Sequence, residues 1–340
     1  MSFDFLAYGD DAVEMPSKTY ELCIVDADTI LYQAAALLQE NSILVTHKQS
    51  GRKKKFKGVK EFYGLGKSKD KAWIGEQNIL RKEKGQPVLS VEDFDIEQTA
   101  DLKDAPPGMT LLEYGLQTID FKIGDIKRVM DAESYQLYIG GSGNFRFDAA
   151  HILPYKGQRT DKPLMFKELR DAFLDKYRSK VVVARNGLEA DDEVSIKGWE
   201  SYRHFLKTGK HKYILSYVDK DLKSIPCPYF NYMKIEDGII YPTIEDCARH
   251  FCIQLLCGDK STDNIQGLPN ISKEFATKYN VTQRGIGFAT AEKILSGCIT
   301  PKEMYSTVVE AYKSYYGEDE FEFTSFRGEK SMRTWLDMLR

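Results

Sequence analysis

The stretch YELCIVDADTILYQAAALLQ, residues 20–39, decides how the rest of the chain is read. From Leu22 to Val25 it is short and apolar, as a strand buried on both faces is. Asp26, Ala27 and Asp28 interrupt the run, and the Ala-rich segment after them reads as a helix. A buried strand, a tight turn and a helix are how a parallel α/β sheet begins. Such sheets bind ligands outside the carboxyl ends of their strands. Asp26 falls at such an end.

The alternation of strand and helix continues outward from there. ILVTHKQSGRKKKFKGVKEFYG (Ile43–Gly64) alternates about the turn KQSGR and predicts a basic β-hairpin, crowded with Lys48, Arg52, Lys53, Lys54, Lys55, Lys57 and Lys60. Residues Lys67 to about Gly108 are polar, carry APPG near their end, and read as the least structured part. Leu112, Leu116, Ile119, Ile123, Ile126, Val129 and Met130 recur at helical spacing. YQLYIGG and KVVVARNG read as core strands with the helix KPLMFKELRDAFLDKYR between them, and KYILSYVDKDL reads as a further strand. From about Thr243 the chain reads as mainly helical and punctuated by glycine. The expected organisation is an α/β core over residues 19–245, with 46–108 as an inserted basic hairpin and polar segment, followed by a helical region, 246–340.

At 340 residues, 42% hydrophobic and 12% aromatic, the chain can bury a sizeable core. Its net charge of −3 gives no global bias toward a polyanion, but basic and acidic residues are segregated along it. The N-terminus lacks a basic region followed by an apolar one, and no apolar run reaches 18 residues, so neither a signal peptide nor a membrane span is expected and the compartment predicted is the cytoplasm. Six cysteines form no C-x-x-C pair and five histidines are scattered, so reduced thiols are expected and a zinc site is not.

The chemistry-bearing feature is acidic. In NGLEADDEVSIKG (Asn186–Gly198), Glu189, Asp191, Asp192 and Glu193 fall within five consecutive positions just after the apolar run VVVA. Two like charges 4 Å apart cost about 4 kcal/mol at an effective dielectric near 20. Asp219 and Asp221 follow the strand YILSYV, and Asp259 and Asp263 lie in CGDKSTDNIQGLP. A single Asp at a strand end is commonly a helix cap. Four groups at strand ends or a helix start form instead an all-oxygen donor set suited to a hard cation, Mg²⁺ or Mn²⁺. On an ideal helix Glu189, Asp192 and Glu193 share a face and Asp191 points away; if Glu189 precedes the helix, Asp191 turns inward. Glu189, Asp191 and Asp192 are the expected ligands, and Glu193 is expected to be a solvated neighbour.

Two divalent ions about 4 Å apart polarise a phosphodiester, activate water and stabilise the attacking and leaving oxygens, with no nucleophilic side chain required. No Ser–His–Asp or Cys–His arrangement competes with this in the sequence. FRFDAAHILPYKGQRTDKP supplies Lys156 and Arg159 to hold a phosphate and offset its charge, and Tyr155 as a face for an unpaired base. GIGFATAEKILSG places Gly285 and Gly287 before a helix expected to start at about Thr290 and to carry Lys293; a glycine turn opening a helix presents backbone N–H groups to phosphate.

In order, VDADTILYQ, FR…PYKGQR, LEADDEV, SYVDKDLKSIP, GDKSTDNIQGLP and GIGFATAEKIL resemble the flap endonuclease and 5′→3′ exonuclease family, whose members include bacteriophage nucleases and the N-terminal nuclease domain of bacterial DNA polymerase I. The resemblance runs from about Leu22 to Gly297, with Thr46–Ala132 unmatched, and looks most like phage versions. It implies a PIN-like parallel-sheet nuclease core with a helical arch and a C-terminal helix–three-turn–helix DNA-binding region. By it, Asp26, Glu189, Asp191 and Asp192 look like the ligands of a first metal, and Asp219, Asp221, Asp259 and Asp263 like those of a second. Lys156 and Arg159 match the basic residues at the foot of the arch. Gly285 and Gly287 resemble the hairpin that grips duplex DNA, with a K⁺ ion there. The implied protein is a monomer that uses two Mg²⁺ or Mn²⁺ ions. It acts on DNA or RNA–DNA with free 5′ ends, nicks or flaps, in phage DNA replication in a host cytoplasm.

Three departures stand out. Gly140 and Gly141 lie where many members carry an Asp, three residues rather than two separate Asp259 from Asp263, and Asn270–Arg284 intervenes between GLP and GIG. Two other readings compete. CIVDADT, YILS and GDKSTD also fit a haloacid-dehalogenase-like phosphatase with Asp26 as nucleophile, which needs a strand before GD where ARHFCIQLLC looks helical. A non-catalytic DNA-binding module using the glycine hairpin alone leaves the acidic clusters without a role.

Overall fold

The computed structural model describes residues 18–157, 161–259 and 265–339, and it opens with strand β1 (Tyr20–Asp26) and helix α1 (Asp28–Leu37) as the first stretch predicts. There follow β2 (Gln39–His47), β3 (Lys53–Phe56), α2 (Val59–Phe62), α3 (Trp73–Glu83), β4 (Phe94–Leu102), α4 (Leu111–Val129), β5 (Ala132–Ile139), α5 (Arg146–Ala149), α6 (Phe166–Lys176), β6 (Val181–Val183) and α7 (Ala190–Thr208). The remainder is β7 (Tyr213–Ser216), β8 (Tyr229–Phe230), α8 (Ile244–Cys257), α9 (Lys273–Lys278), α10 (Phe288–Leu295), α11 (Pro301–Tyr316), β9 (Phe321–Thr324), β10 (Lys330–Arg333) and α12 (Trp335–Leu339). None of the described helices is long and apolar enough to cross a membrane.

The chain divides into two compact units: Met1–Asp26, Asp125–Gly157 and Val182–Arg340 form one, and Ala27–Gly124 with Gln158–Val181 the other. The boundary expected near residue 245 falls inside the first unit. That unit is built on a five-stranded sheet in the order β6-β5-β1-β7-β8. β1 runs parallel to β5 and β7, with Val25 beside Leu137 and Ser216, and β7 runs parallel to β8. Cys23, Ile24 and Val25 are fully buried, as a central strand covered on both faces requires. From β1 the path leads to β5 on one side, while β7 feeds β8 on the other. The crevice between the carboxyl ends of β1 and β7 is therefore the topological switch point, where parallel sheets bind ligands.

Helix α7 lies against this sheet along the stripe Ala190, Val194, Gly198 and Ser201. The buried Ser201 hydroxyl accepts from the backbone N–H of Lys212 (3.1 Å) and Tyr213 (3.0 Å), which ties α7 to the start of β7. Beyond β8, helices α8 to α11 share a core that includes Leu256, Phe275, Ile286, Ile294, Met304 and Val308, in keeping with the mainly helical reading. The antiparallel hairpin β9–β10 was not foreseen.

In the second unit the expected hairpin is present, with Val45 opposite Lys54, but a third strand completes the sheet in the order β3-β2-β4. Phe56, Phe62, Phe94 and Ile74 close a core beneath it, with Trp73 packed against them. Lys67–Gly108, read as the least structured part, thus carries both α3 and β4. β4 hides from a hydrophobic pattern because only Phe94 of its nine residues is buried, so main-chain pairing to β2 sets it.

Candidate functional site

Carboxylates lie at or shortly after the carboxyl ends of three strands, β1, β6 and β7. Asp26 closes β1 and is 5% exposed, and its carbonyl accepts a hydrogen bond from the Tyr232 hydroxyl at 3.1 Å. After β6, Glu189 takes an extended conformation (φ −94°, ψ 169°) as the N-cap of α7. Asp192 reaches back to accept from the Glu189 N–H at 2.9 Å, and Asp191 Oδ1 accepts from the Asp192 N–H at 2.9 Å. The helix start thus uses its own acids to satisfy its first N–H groups. Asp191, in the first turn after that N-cap, is partly buried. Burial first, then the charges of Asp192 and Asp219, raise its carboxyl above the usual range.

Glu193 corrects an expectation. It lies on the buried stripe of α7 at 8% exposure, and Arg185 grips it through Nε (2.6 Å), Nη2 (3.1 Å) and its backbone N–H (3.2 Å). That pairing holds its carboxyl below the ordinary Glu range. It is a structural ion pair, because position 193 is one helical turn from Ala190.

After β7, Asp219 accepts from the Asp221 N–H at 2.9 Å, and Gln254 of α8 donates to Asp221 Oδ1 at 2.6 Å. Burial, then Asp219 and more weakly Asp259, raise the Asp221 carboxyl. Asp259, 5% exposed, pairs with Lys220 at 2.7 Å. It follows Gly258 (φ +70°), whose backbone lies against that of Gly267 (φ +67°), both in the left-handed region. A Cβ on Gly258 would meet the Gln266 carbonyl oxygen at 2.2 Å, and one on Gly267 would meet the Gly258 nitrogen at 2.2 Å. Asp263 and Arg159 lie outside the described residues.

Cations stand among these acids. Arg146, on the one-turn helix α5, forms a two-pronged bond to Asp192 (Nη1 2.8 Å, Nη2 2.6 Å) and lies 3.8 Å from Glu189. Lys156 pairs with Glu189, whose other oxygen accepts from the Tyr155 hydroxyl. Lys156 holds a left-handed backbone (φ +55°), a conformation sparsely populated by Lys. The Tyr155 ring has Lys156 Nζ at 4.9 Å, Arg146 Cζ at 5.9 Å and the Phe147 ring in a T-shaped contact with centroids 5.5 Å apart, so it is built into the site. Sequence reading missed Arg146, Lys220 and Gln254 as members of the cluster. The one signal for Arg146 was its place in the FR motif, a few residues after a strand end.

Gly141 follows β5 by two residues, at the place where many members of the resembled family carry an Asp. An added Cβ would lie 2.3 Å from the Ala184 carbonyl oxygen, so the backbone of the β6 exit occupies the space of any side chain. Gly285 (φ +70°) and Gly287 are exposed and lead into α10, which begins at Phe288 with Gly287 as N-cap and no side-chain cap. Thr290 lies in its first turn, two residues after the observed start, while Lys293 donates to the Asn280 carbonyl rather than toward that turn.

Among the described residues, no three His, Cys, Asp or Glu side chains stand where they could jointly hold a metal ion. The donor chemistry nonetheless fits a hard divalent cation. All candidate donors are carboxylates, and Asp191 and Asp221 carry charge that their neighbours make costly. At the same edge the fully buried Ser216 hydroxyl, the last residue of β7, has no hydrogen-bond partner among the described residues. No protein-family model matches the chain, and no curated protein matches its sequence.

Proposed function

We propose that this chain is a metal-dependent 5′ nuclease, a flap endonuclease and 5′→3′ exonuclease that hydrolyses phosphodiesters of DNA or RNA–DNA primers. One observation carries the reading. Carboxylates from four distant segments (Asp26, Glu189–Asp192, Asp219–Asp221 and Asp259) converge on the carboxyl edge of one parallel sheet, beside Arg146 and Lys156. Once Arg146, Lys156 and Lys220 release their carboxylates and the side chains turn together, Asp26, Glu189, Asp191 and Asp192 would hold one Mg²⁺ or Mn²⁺ ion, and Asp219, Asp221 and Asp259, with Asp263, a second. Bound there, such ions supply Lewis-acid polarisation of the phosphodiester and activation of water.

The chain's own residues do the rest. Gln254 and the Asp221 N–H fix the Asp219–Asp221 pair, and the Tyr155 hydroxyl orients Glu189. Lys156 and Arg146, once their carboxylates are shared with a cation, provide positive charge for the scissile phosphate and its transition state. On this reading 142–157 forms the foot of a helical arch, α9 and α10 with the turn at Gly285 and Gly287 form a helix–three-turn–helix element, and the uncapped start of α10 receives a duplex phosphate beside K⁺. Contacts of this kind favour substrate shape over sequence. A monomer acting in phage DNA replication within the host cytoplasm completes the proposal. The phosphatase reading is disfavoured because Ile244–Cys257, before Gly258 and Asp259, is a helix.

The test is cleavage of a 5′-labelled flap and of a nicked duplex with Mg²⁺, run beside Asp192→Asn and Asp221→Asn. Wild type should cut at least one substrate, with both variants reduced by about 100-fold or more. Inert wild type, or fully active variants, refutes the reading, and a phosphorylated Asp26 would mark a phosphatase.

A further inference from the structure

We propose that the tip of the C-terminal hairpin β9–β10 is a positioning device for the candidate site. It holds helix α5 so that Arg146 reaches Asp192. At its base the hairpin is anchored to α11, where Phe321 stacks on Tyr316 with centroids 5.2 Å apart and planes at 7°. At its tip, Ser325 (7% exposed) organises the turn: its hydroxyl accepts from the N–H groups of Arg327 and Glu329, both at 3.2 Å. Gly328 supplies the left-handed residue (φ +83°), and its N–H donates to the Ser325 carbonyl at 2.9 Å.

The tip then bonds to backbone 146–151. The Phe326 N–H donates to the His151 carbonyl at 3.1 Å. The Arg327 guanidinium donates to the Phe147 carbonyl and lies 3.5 Å from that of Asp148. The last two carbonyls belong to α5, a single turn that could not persist by itself in water. A cation at the carbonyl end of a helix is also the favourable polarity. The same turn begins with Arg146, whose fork engages Asp192, and includes Phe147, whose ring abuts Tyr155. Arg327, 135 positions beyond Asp192 in sequence, therefore acts on the carboxylates through two intermediaries.

The experiment uses the full chain with Arg327→Ala and Arg327→Lys. Hydrogen exchange of amides in 144–157 should rise about tenfold or more in Arg327→Ala, with β1, β5 and β7 unchanged, and Arg327→Lys should recover most of the protection. The decisive readout is the coupling between Arg146 and Asp192, from a double-mutant cycle on stability, which should fall by half or more in the Arg327→Ala background. An unchanged coupling, or exchange that rises equally throughout the sheet, overturns the inference. If Arg327→Ala does not fold, the same two measurements on Arg327→Lys decide, with a smaller loss expected. Only a kinetic arm rests on the nuclease reading: kcat for flap cleavage should drop about tenfold with KM little changed. Inert wild type would sink that reading, while exchange and coupling still judge the hairpin.

Discussion

Replacing Arg146 by Ala probes the centre of the candidate site. Its guanidinium meets Asp192 through two bonds of 2.8 and 2.6 Å, and the two side chains are 31% and 17% exposed. Breaking a fully buried ion pair from one side costs about 3–5 kcal/mol, because an uncompensated charge stays behind. Fully exposed pairs contribute below about 1 kcal/mol. This pair lies between, and Asp192 would retain one donor, the Glu189 N–H at 2.9 Å. A loss of about 2 kcal/mol is expected at pH 7 without divalent cations, read as a shift in urea midpoint at constant slope. In an Asp192→Asn background the same substitution should cost about 1 kcal/mol or less, since a neutral amide tolerates losing its cation. Saturating Mg²⁺ should shrink the loss as well, because a bound cation replaces the missing charge. A loss under about 0.5 kcal/mol, or one equally large in the Asp192→Asn background, refutes the idea that Arg146 neutralises Asp192.

Asp191 and Asp221 both sit above the usual carboxylate range through burial and like-charge neighbours. The native state thus binds these protons more readily than the unfolded chain, so their charges weaken folding above the folded pKa and cease to do so as pH falls through it. Asp191→Asn and Asp221→Asn should each stabilise the metal-free protein at pH 7 by about 0.5–2 kcal/mol, with the gain fading toward about pH 4 and the response to Mg²⁺ diminished; denaturation across pH with and without EDTA checks this, and a less stable variant at neutral pH contradicts it. Gly141→Asp should fail to create a further ligand. Its Cβ at 2.3 Å from the Ala184 carbonyl oxygen must displace backbone, so a loss of about 1–3 kcal/mol with no tighter Mn²⁺ binding is expected from thermal denaturation and calorimetry; tighter binding in a stable variant refutes the steric argument.

Much of the chain was legible because its signals are local. The apolar run 22–25 bounded by Asp26 announces a buried strand, and the periodicity through Leu116 and Ile123 announces α4. The acids of 189–192 announce a helix start, since carboxylates satisfy free N–H groups there. What stayed hidden depends on partners far along the chain. Glu193 looked solvated because its burial is set by the sheet beneath α7 and its cost is met by Arg185. Arg146 is 46 positions from Asp192, and no spacing rule links an Arg in a short turn to a carboxylate at that range. The hairpin β9–β10 has two four-residue strands, too short for alternation to stand out, and β4 is mostly exposed.

Charge decides what such a site can receive. Within the described residues, seven carboxylates (Asp26, Glu189, Asp191, Asp192, Asp219, Asp221 and Asp259) share one sheet edge with three cations that pair with members of the set, Arg146, Lys156 and Lys220. Together these side chains carry a formal charge of −4, one unit more negative than the whole chain at −3. A phosphodiester approaching it meets repulsion, and burial sharpens that repulsion by lowering the effective dielectric. Releasing Arg146 or Lys156 to hold the phosphate makes matters worse unless their carboxylates gain another counter-charge, since each is the partner of an acid. A divalent cation solves both problems at once: it neutralises the carboxylates and frees the basic side chains. The proposed substrate and the proposed ions are therefore coupled ligands, and affinity for a DNA 5′ end at this edge should rise when a divalent cation is present even if the cation cannot support cleavage.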